Sequence, residues 1–248
     1  MQVQNGSLWI VFPLEKYVPA TGGIKGIMAK STFRTCGIDM DLDKFIVIAS
    51  ILETNDRGET TEVARHFINQ SRHVARRKRN LGNIAIKMGK TGIISRGFAE
   101  YSRAVSRELV ELANHWRANV ISFEHLGNLR PKRGKYSRRS NQKRAYWLKG
   151  KIYEQVKRIA YQDYAILTTR VSPMNTSRLT PWGEPVWRGC KFPSSPTEFD
   201  SYRPGAALVA TVDGYKAHSG LNAARNVALK AIKRHLSEVM LHQKSLQQ

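Results

Sequence analysis

Two apolar runs, Cys36 to Met40 and Phe45 to Leu52, flank the polar segment Asp41-Leu42-Asp43-Lys44, and this arrangement fixes how the fold must begin. Two apolar runs with so short a polar link between them have the pattern of antiparallel strands joined by a tight turn. A third strand is expected over Glu62 to Phe67. Beyond it the period changes. Arg72 to Lys90 is basic and helix-compatible but interrupted by Gly82 and Gly89. Phe98 to Trp116 repeats Val105, Leu109, Leu112 and Trp116 at helical spacing, then runs into the short β-branched stretch Val120 to Glu124. Ala145 to Tyr161 is a second helix through Leu148, Ile152, Val156 and Ile159, followed by a strand over Ala165 to Val171. Leu221 to Leu241 carries Ala224, Val227, Ile232 and Leu236 on a broad apolar stripe and closes the chain as a helix. Hairpin, strand, helix, strand, helix, strand, helix is the order of a mixed α/β sheet flanked by helices.

Outside that alternation lie two segments of different character. Ser7 to Leu14 reads as a strand, and Tyr17 to Lys30 as a glycine-containing linker. Pro173 to Pro204 holds many of the prolines with glycines and serines, and reads as an irregular insertion.

Charge narrows the choice of ligand. The 41 Lys and Arg against 19 Asp and Glu give a formal charge of +22, far beyond what solubility needs, so a polyanion is the expected partner. No apolar run is long enough to span a bilayer, and Met1 to Asn5 lacks the pattern of a signal peptide, so an intracellular, soluble protein with no membrane partner is expected. Cys36 and Cys190 are too few for a disulfide framework or a four-thiolate zinc site. They read as a buried apolar residue and a loop residue.

The cations are clustered. Between Arg130 and Arg158 there are twelve Lys or Arg and one acid, Glu154, with Tyr136, Tyr146, Trp147 and Tyr153 interleaved. Cations with aromatics suit phosphate contact plus base stacking better than a merely solvated face. The nucleic-acid-binding candidates are Arg76, Arg77, Lys78, Arg79, Arg130, Lys132, Arg133, Lys135, Arg138, Arg139, Lys143 and Arg144, with Tyr146 and Trp147 as stackers. Trp147 also falls close to the helix's apolar stripe and fits the core equally well.

Three short motifs make the α/β order specific. Gly37-Ile38-Asp39-Met40-Asp41, Phe123-Glu124-His125-Leu126 and Asn222-Ala223-Ala224-Arg225-Asn226 resemble, in order, the three RuvC blocks of the TnpB transposon proteins and type V CRISPR effectors. Pro173 to Arg178 is similar to the segment that leads into the family's zinc ribbon. The likeness is nearest to the nuclease-inactive, transposon-associated type V-K effectors. It implies a ribonuclease H-like (RuvC) fold, with residues 1–30 a remnant wedge strand and linker, 31–172 the first part of the RuvC-like domain, 173–215 a degenerate zinc-ribbon-like insertion, and 216–248 the domain's C-terminal helix.

The resemblance also assigns chemistry to single positions. RuvC-type cleavage uses two divalent cations held about 3.5–4 Å apart, and magnesium demands converging oxygen ligands. Asp39 and Glu124 stand at two of the inherited carboxylate positions, while the third, two residues before Asn222, is Gly220. A register in which Asp213 supplies the third carboxylate is the alternative. Asn222 could offer a neutral oxygen, and Asp41 reads as a turn residue. No more than a weak magnesium site at Asp39 and Glu124 is expected. The family's cysteine pairs fall near Thr180 and Gly183, then near Ala210 and Asp213, so no zinc is expected and the insertion must pack Trp182, Trp187 and Phe192 or stay loose.

Together these readings imply a nuclease-inactive nucleic-acid-binding module of an RNA-guided apparatus for CRISPR-associated transposition, located in the prokaryotic cytoplasm at the nucleoid. Guide RNA and target DNA are the implied partners, with an N-terminal wedge and recognition fragment and transposition proteins as further candidates. Two alternatives stand beside it. One is a metal-dependent DNA endonuclease or TnpB-like accessory protein with residual activity through Asp39, Glu124 and Asp213; the other is a basic RNA-binding structural protein.

Overall fold

The structure is a computed structural model that describes residues 2–4, 7–9, 17–18, 22–40, 46–69, 92–126, 149–189 and 207–245, together with Asn80 and Gly134. Ten strands and four helices are named in chain order: β1 (Gln2–Gln4), β2 (Ser7–Trp9), α1 (Gly23–Met28), β3 (Phe33–Asp39), β4 (Val47–Thr54), β5 (Thr60–Ile68), α2 (Gly92–His115), β6 (Val120–Glu124), α3 (Lys149–Tyr164), β7 (Leu167–Val171), β8 (Trp187–Gly189), β9 (Leu208–Ala210), β10 (Lys216–His218) and α4 (Ser219–Ser245).

The central sheet has the order β5-β4-β3-β6-β7. β3, β4 and β5 form an antiparallel meander, whereas β6 runs parallel to β3 and β7 parallel to β6. This is the mixed, helix-flanked sheet that the alternation of apolar periods requires. On one face Cys36, Ile38, Ala49 and Ile51 pack with Val105 and Leu109 of α2 and Ile152 and Val156 of α3. On the other, Phe33, Leu52 and Val120 pack with Ala228 and Ile232 of α4. Strand side chains alternate between these faces, so β3 must be apolar or small on both.

Gly37 is where α4 comes nearest the sheet. A Cβ there would lie 2.1 Å from the carbonyl oxygen of Ala224 and 2.6 Å from the amide of Ala228. Only glycine lets the helix backbone settle on the strand at this depth. Gly220, Ala224 and Ala228 follow at four-residue spacing, so a stripe of small residues on α4 runs along β3. Helices α2 and α3 both end in a left-handed cap, at Arg117 (φ 52) and Ala165 (φ 57), whose turn delivers the chain into β6 and β7.

Several sequence-based boundaries shift. The segment Tyr17 to Lys30, read as linker, contains the helix α1, and its buried Ile27 packs beside Ile232 of α4. Helix α2 begins at Gly92, six residues before the expected Phe98. β2 pairs with β1, a partner strand that the alternation of Ser7 to Leu14 did not reveal. The described part of the insertion, 173–189, is more ordered than its composition suggests. Leu179 bridges Pro185, and β8, β9 and β10 form a separate antiparallel sheet in the order β10-β9-β8. Asp41, Cys190, Phe192 and most of Arg72 to Lys90 lie outside the described residues. Among the described residues no helix is long and apolar enough to cross a membrane.

Candidate functional site

Asp39 and Glu124 end adjacent parallel strands. Ile38 lies opposite Phe123, so the two acids follow as neighbours, their backbones about 4.8 Å apart across the pair. Alternation places Asp39 on the same face as Gly37, which meets α4. Glu124 shares a face with Ser122, whose hydroxyl donates to the carbonyl of Val227 on α4 at 3.3 Å. Both carboxylates therefore stand, half-buried, on the α4 side of the sheet at its carboxyl edge, the usual place for a ligand site in such sheets.

The third element is the first turn of α4. A Cβ built on Gly220 would sit 2.9 Å from Oδ2 of Asp39 and 3.4 Å from Nδ1 of His218. It would also sit 2.3 Å from Cδ1 of Ile48, a residue only 1% exposed. Position 220 is thus beside Asp39, and a branched apolar side chain from β4 fills the space that a longer residue would need. Sequence reasoning missed Ile48, because nothing in a strand's own pattern says which helix residue will stand over it. The amide of Gly220 donates to Nδ1 of His218 at 3.2 Å, which occupies that ring nitrogen's lone pair. Asp39 keeps a favourable setting regardless, since the positive end of the α4 dipole attracts its negative charge.

Glu124 is held by residues distant from it in sequence. Thr176 approaches its Oε1 at 2.5 Å and the carbonyl of Pro173 at 2.9 Å. The threonine has one proton, and the carboxylate is the stronger acceptor. Lys230 of α4 donates to the carbonyls of Ser172, at 3.1 Å, and Met174. Burial pushes the Lys230 pKa down, and the charge of Glu124 offsets part of that loss.

The Asn-Ala-Ala-Arg-Asn run proves to be a fastening device. Asn222 is fully buried, donates to the carbonyl of Leu179 at 2.8 Å, and accepts from the hydroxyl of Tyr215 at 3.2 Å. Asn222 thus makes a hydrogen bond inside the fold from each end of its amide. Asn226 donates to the carbonyls of Thr176 and Leu179, at 2.8 and 2.7 Å. Arg225 reaches the sheet edge and pairs with Glu62, at 3.0 Å from Nε and 2.5 Å from a terminal nitrogen. Burial alone would raise the Glu62 pKa, but hydrogen bonds from Arg225 and Ser50 and the charges of Arg225 and Arg65 bring it below the usual carboxylate value.

Asp213 stands elsewhere. It is exposed in the turn between β9 and β10, whereas His218, at the far end of β10, lies beside Gly220. The structure brings Asp39, Glu124 and Gly220 to one corner and leaves Asp213 at the other end of a hairpin.

Two turns in the insertion repeat one geometry. In the first, Thr180 accepts at its carbonyl from Gly183 (3.1 Å) and at its hydroxyl from the amide of Glu184 (2.9 Å). In the second, the Thr211 carbonyl accepts from Gly214 (3.2 Å) and its hydroxyl from the amide of Tyr215 (3.3 Å). Gly183 and Gly214 both take left-handed backbones, φ 102 and 89. Trp182 of the first turn meets Tyr215 of the second edge-on, with ring centroids 4.8 Å apart. The first turn spans Thr180 and Gly183, and the second, at Thr211 and Gly214, lies near the expected Ala210 and Asp213. Trp187 packs over its own strand, its ring lying where a Gly189 side chain would be.

All of the cationic candidates, Arg76 to Arg79 and Arg130 to Arg144, lie outside the described residues, as do Tyr146 and Trp147. Tyr153, one of the interleaved aromatics, is committed internally, with Phe123 edge-on at 5.3 Å and the Arg170 guanidinium 3.5 Å from its ring centre. Cys36 is fully buried and its thiol is pushed up to about 12, so it is inert filling rather than a ligand or nucleophile.

A search among known proteins adds one structural likeness to this geometry. No family profile matches the chain, and no curated protein does. Among solved structures, a Cas12f1 protein imaged with sgRNA and target DNA superposes with a TM-score of 0.53 at 18% identity, over 80% of this chain and 50% of that one. The chain has the fold of part of Cas12f1. It spans about half the length of that protein. A second Cas12f ternary complex gives a TM-score of 0.45 at 16% identity, over 88% of this chain and 40% of that one. The Thermus thermophilus RuvC bound to a Holliday junction gives 0.40 at 10%, over 82% and 96%.

The resemblance of the three motifs to RuvC blocks implies divalent metal chemistry, and the residues present can be weighed against it. Magnesium requires about six oxygen donors with converging carboxylates. The corner here offers two acids, a glycine whose side-chain space is filled by Ile48, and an imidazole nitrogen already accepting a hydrogen bond. Among the described residues no three His, Cys, Asp or Glu side chains are grouped to hold a metal ion. This donor set does not fit a two-metal centre.

Proposed function

We propose that this chain is a nuclease-inactive, RuvC-like nucleic-acid-binding module that acts within an RNA-guided DNA-targeting apparatus of the CRISPR-associated transposition kind. The observation that carries the proposal is the contact set of Gly220: Asp39 on one side, and Ile48 filling the side-chain space on the other. A site that had merely lost one ligand would leave room for it. Here the loss is accompanied by apolar packing, which favours a settled structural role for the corner over residual cleavage. Neither magnesium nor zinc is a resident cofactor in this reading, because the twin threonine turns close themselves by hydrogen bonds where the resemblance would place thiolates.

The nucleic-acid half of the proposal rests on the net charge of +22 and on the fold likeness to a protein seen with sgRNA and target DNA. Protein contacts in such assemblies follow backbone geometry while base pairing supplies sequence. Guide RNA and target DNA are accordingly the proposed partners, with a wedge and recognition fragment and transposition proteins completing the apparatus. Asp213, exposed at its hairpin turn, gives no support to the endonuclease alternative.

The test has two arms. Purified protein supplied with magnesium or manganese should leave single- and double-stranded DNA intact; cutting that disappears on Asp39→Ala would overturn the inactive assignment. RNA recovered with the protein should be a defined guide-like transcript. Bulk ribosomal RNA would instead favour a basic RNA-binding structural protein.

A further inference from the structure

A cleft of about 190 Å³ opens between the edge strand β5, helix α4 and the first threonine turn. Its walls include Pro181 and Trp182 from the turn, Thr60 and Glu62 from β5, and Arg225 and Leu229 from α4. Trp182 is 57% exposed, so much of its ring is open to a ligand. Tyr215 packs against it at 81°, with ring centroids 4.8 Å apart. At the floor, Arg225 spends three of its five N–H groups, two on Glu62 and one on the Tyr215 hydroxyl. Two donors remain uncommitted among the described residues. Glu62, by contrast, already accepts from Ser50 and Arg225 and forms an ion pair with Arg65.

We infer that this cleft takes one unstacked nucleobase of a single-stranded nucleic acid. The ligand must offer a flat π-face to Trp182 and an acceptor edge to Arg225, and a nucleobase joins both in a single planar group. The Glu62–Arg225 pair is internally neutral, so the cleft recognises the base, while the rest of this strongly basic chain is left to hold the phosphates. The volume lies below the roughly 300–1,000 Å³ of a drug-sized ligand site, which suits one base and not an intact dinucleotide cofactor. Stacking is tolerant of base identity, so the cleft grips strands without choosing sequence. It lies away from Asp39 and Glu124 in the fold, since its lining comes from β5, α4 beyond its first turn, and the Thr180 turn. The inference rests on the reading of the chain as a nucleic-acid-binding protein.

The experiment uses the full chain and short single-stranded DNA and RNA oligonucleotides, each carrying one 2-aminopurine, titrated by fluorescence and anisotropy. Stacking on Trp182 should quench the 2-aminopurine on binding. Trp182→Ala should abolish the quench and weaken binding about 5- to 100-fold, the range of one lost base–aromatic stack. Trp182→Phe should recover part of both. The salt dependence of binding should be the same in wild type and Trp182→Ala, because the phosphate contacts are untouched. Unchanged affinity and quench in Trp182→Ala, with salt-sensitive binding intact, would overturn the cleft assignment and leave the nucleic-acid reading standing. No binding of any oligonucleotide by the wild type would overturn both.

Discussion

A side chain on Gly220 would have its Cβ 2.9 Å from Oδ2 of Asp39, which makes the helix start and the strand end two walls of one corner. The corner joins two strand-end acids to the start of α4 and has an apolar filling from Ile48. Its history and its present packing can be separated by substitution.

Gly220→Asp alone should lose about 1–3 kcal/mol, because the new Cβ overlaps Cδ1 of Ile48 at 2.3 Å and the new carboxylate faces Asp39. Adding Ile48→Val removes the overlapping methyl and should restore part of the stability, less a cost of about 0.5–1.5 kcal/mol for the deleted group. Thermal melts with and without magnesium check the outcome. Magnesium should raise the melting temperature of the double variant and leave the wild type unmoved; an equal rise in both would mean that Asp39 and Glu124 suffice for binding.

Gly37→Ala should be among the most damaging single-methyl changes in the chain. The added carbon meets the backbone of α4 at 2.1 and 2.6 Å, and backbone cannot rotate away. A loss of about 3 kcal/mol or more is expected in urea unfolding, the upper end for overpacking. Gly58→Ala is the control. Its Cβ would meet nothing, so only the left-handed backbone (φ 79) is penalised, by about 1–2 kcal/mol.

Glu62→Gln should weaken the tie between α4 and the sheet edge by about 2 kcal/mol, between the value of an exposed ion pair and a fully buried one, since both side chains keep some exposure. The pH dependence has a definite sign. The folded carboxyl titrates below its ordinary value of 4.5, so its contribution is present above that value and disappears as pH falls through the depressed one. Urea melts from neutral to acid pH should therefore converge for wild type and Glu62→Gln on the acid side. Parallel curves throughout would show that the pair does not couple to folding.

Thr180→Ala and Thr211→Ala should each cost about 1 kcal/mol, the loss of one hydroxyl-to-amide bond that closes a turn. A zinc chelator should leave the wild-type melting temperature unchanged. If the chelator lowers it while the threonine variants melt normally, the turns are held by metal rather than by their own hydrogen bonds.

Much of the fold was legible because each strand and helix declares its own period. The runs around Asp41 to Lys44 gave the hairpin, and the repeats through Leu109, Val156 and Val227 gave the three long helices. Asp39 and Glu124 were legible as strand-end acids within ordered motifs. The roles of Thr176 and Lys230 were not, because they act on Glu124 from 52 and 106 positions away along the chain. The helix α1 was hidden for a local reason: six residues with two glycines show no usable period, and packing against α4 supplies the order instead.

By itself the sequence determined the α/β order, the excess of positive charge, and the identity of the residue at position 220, since periodicity, composition and identity are properties of the chain read in one dimension. Tertiary structure alone decided that Gly220 lies against Asp39, that Ile48 packs over Gly220, that Asp213 sits at the far end of a hairpin, and that Asn222 and Arg225 fasten α4 to its neighbours. Those facts depend on which side chains share a volume. Excluded volume and hydrogen-bond saturation are settled between elements distant in sequence, only once the sheet and α4 are packed together.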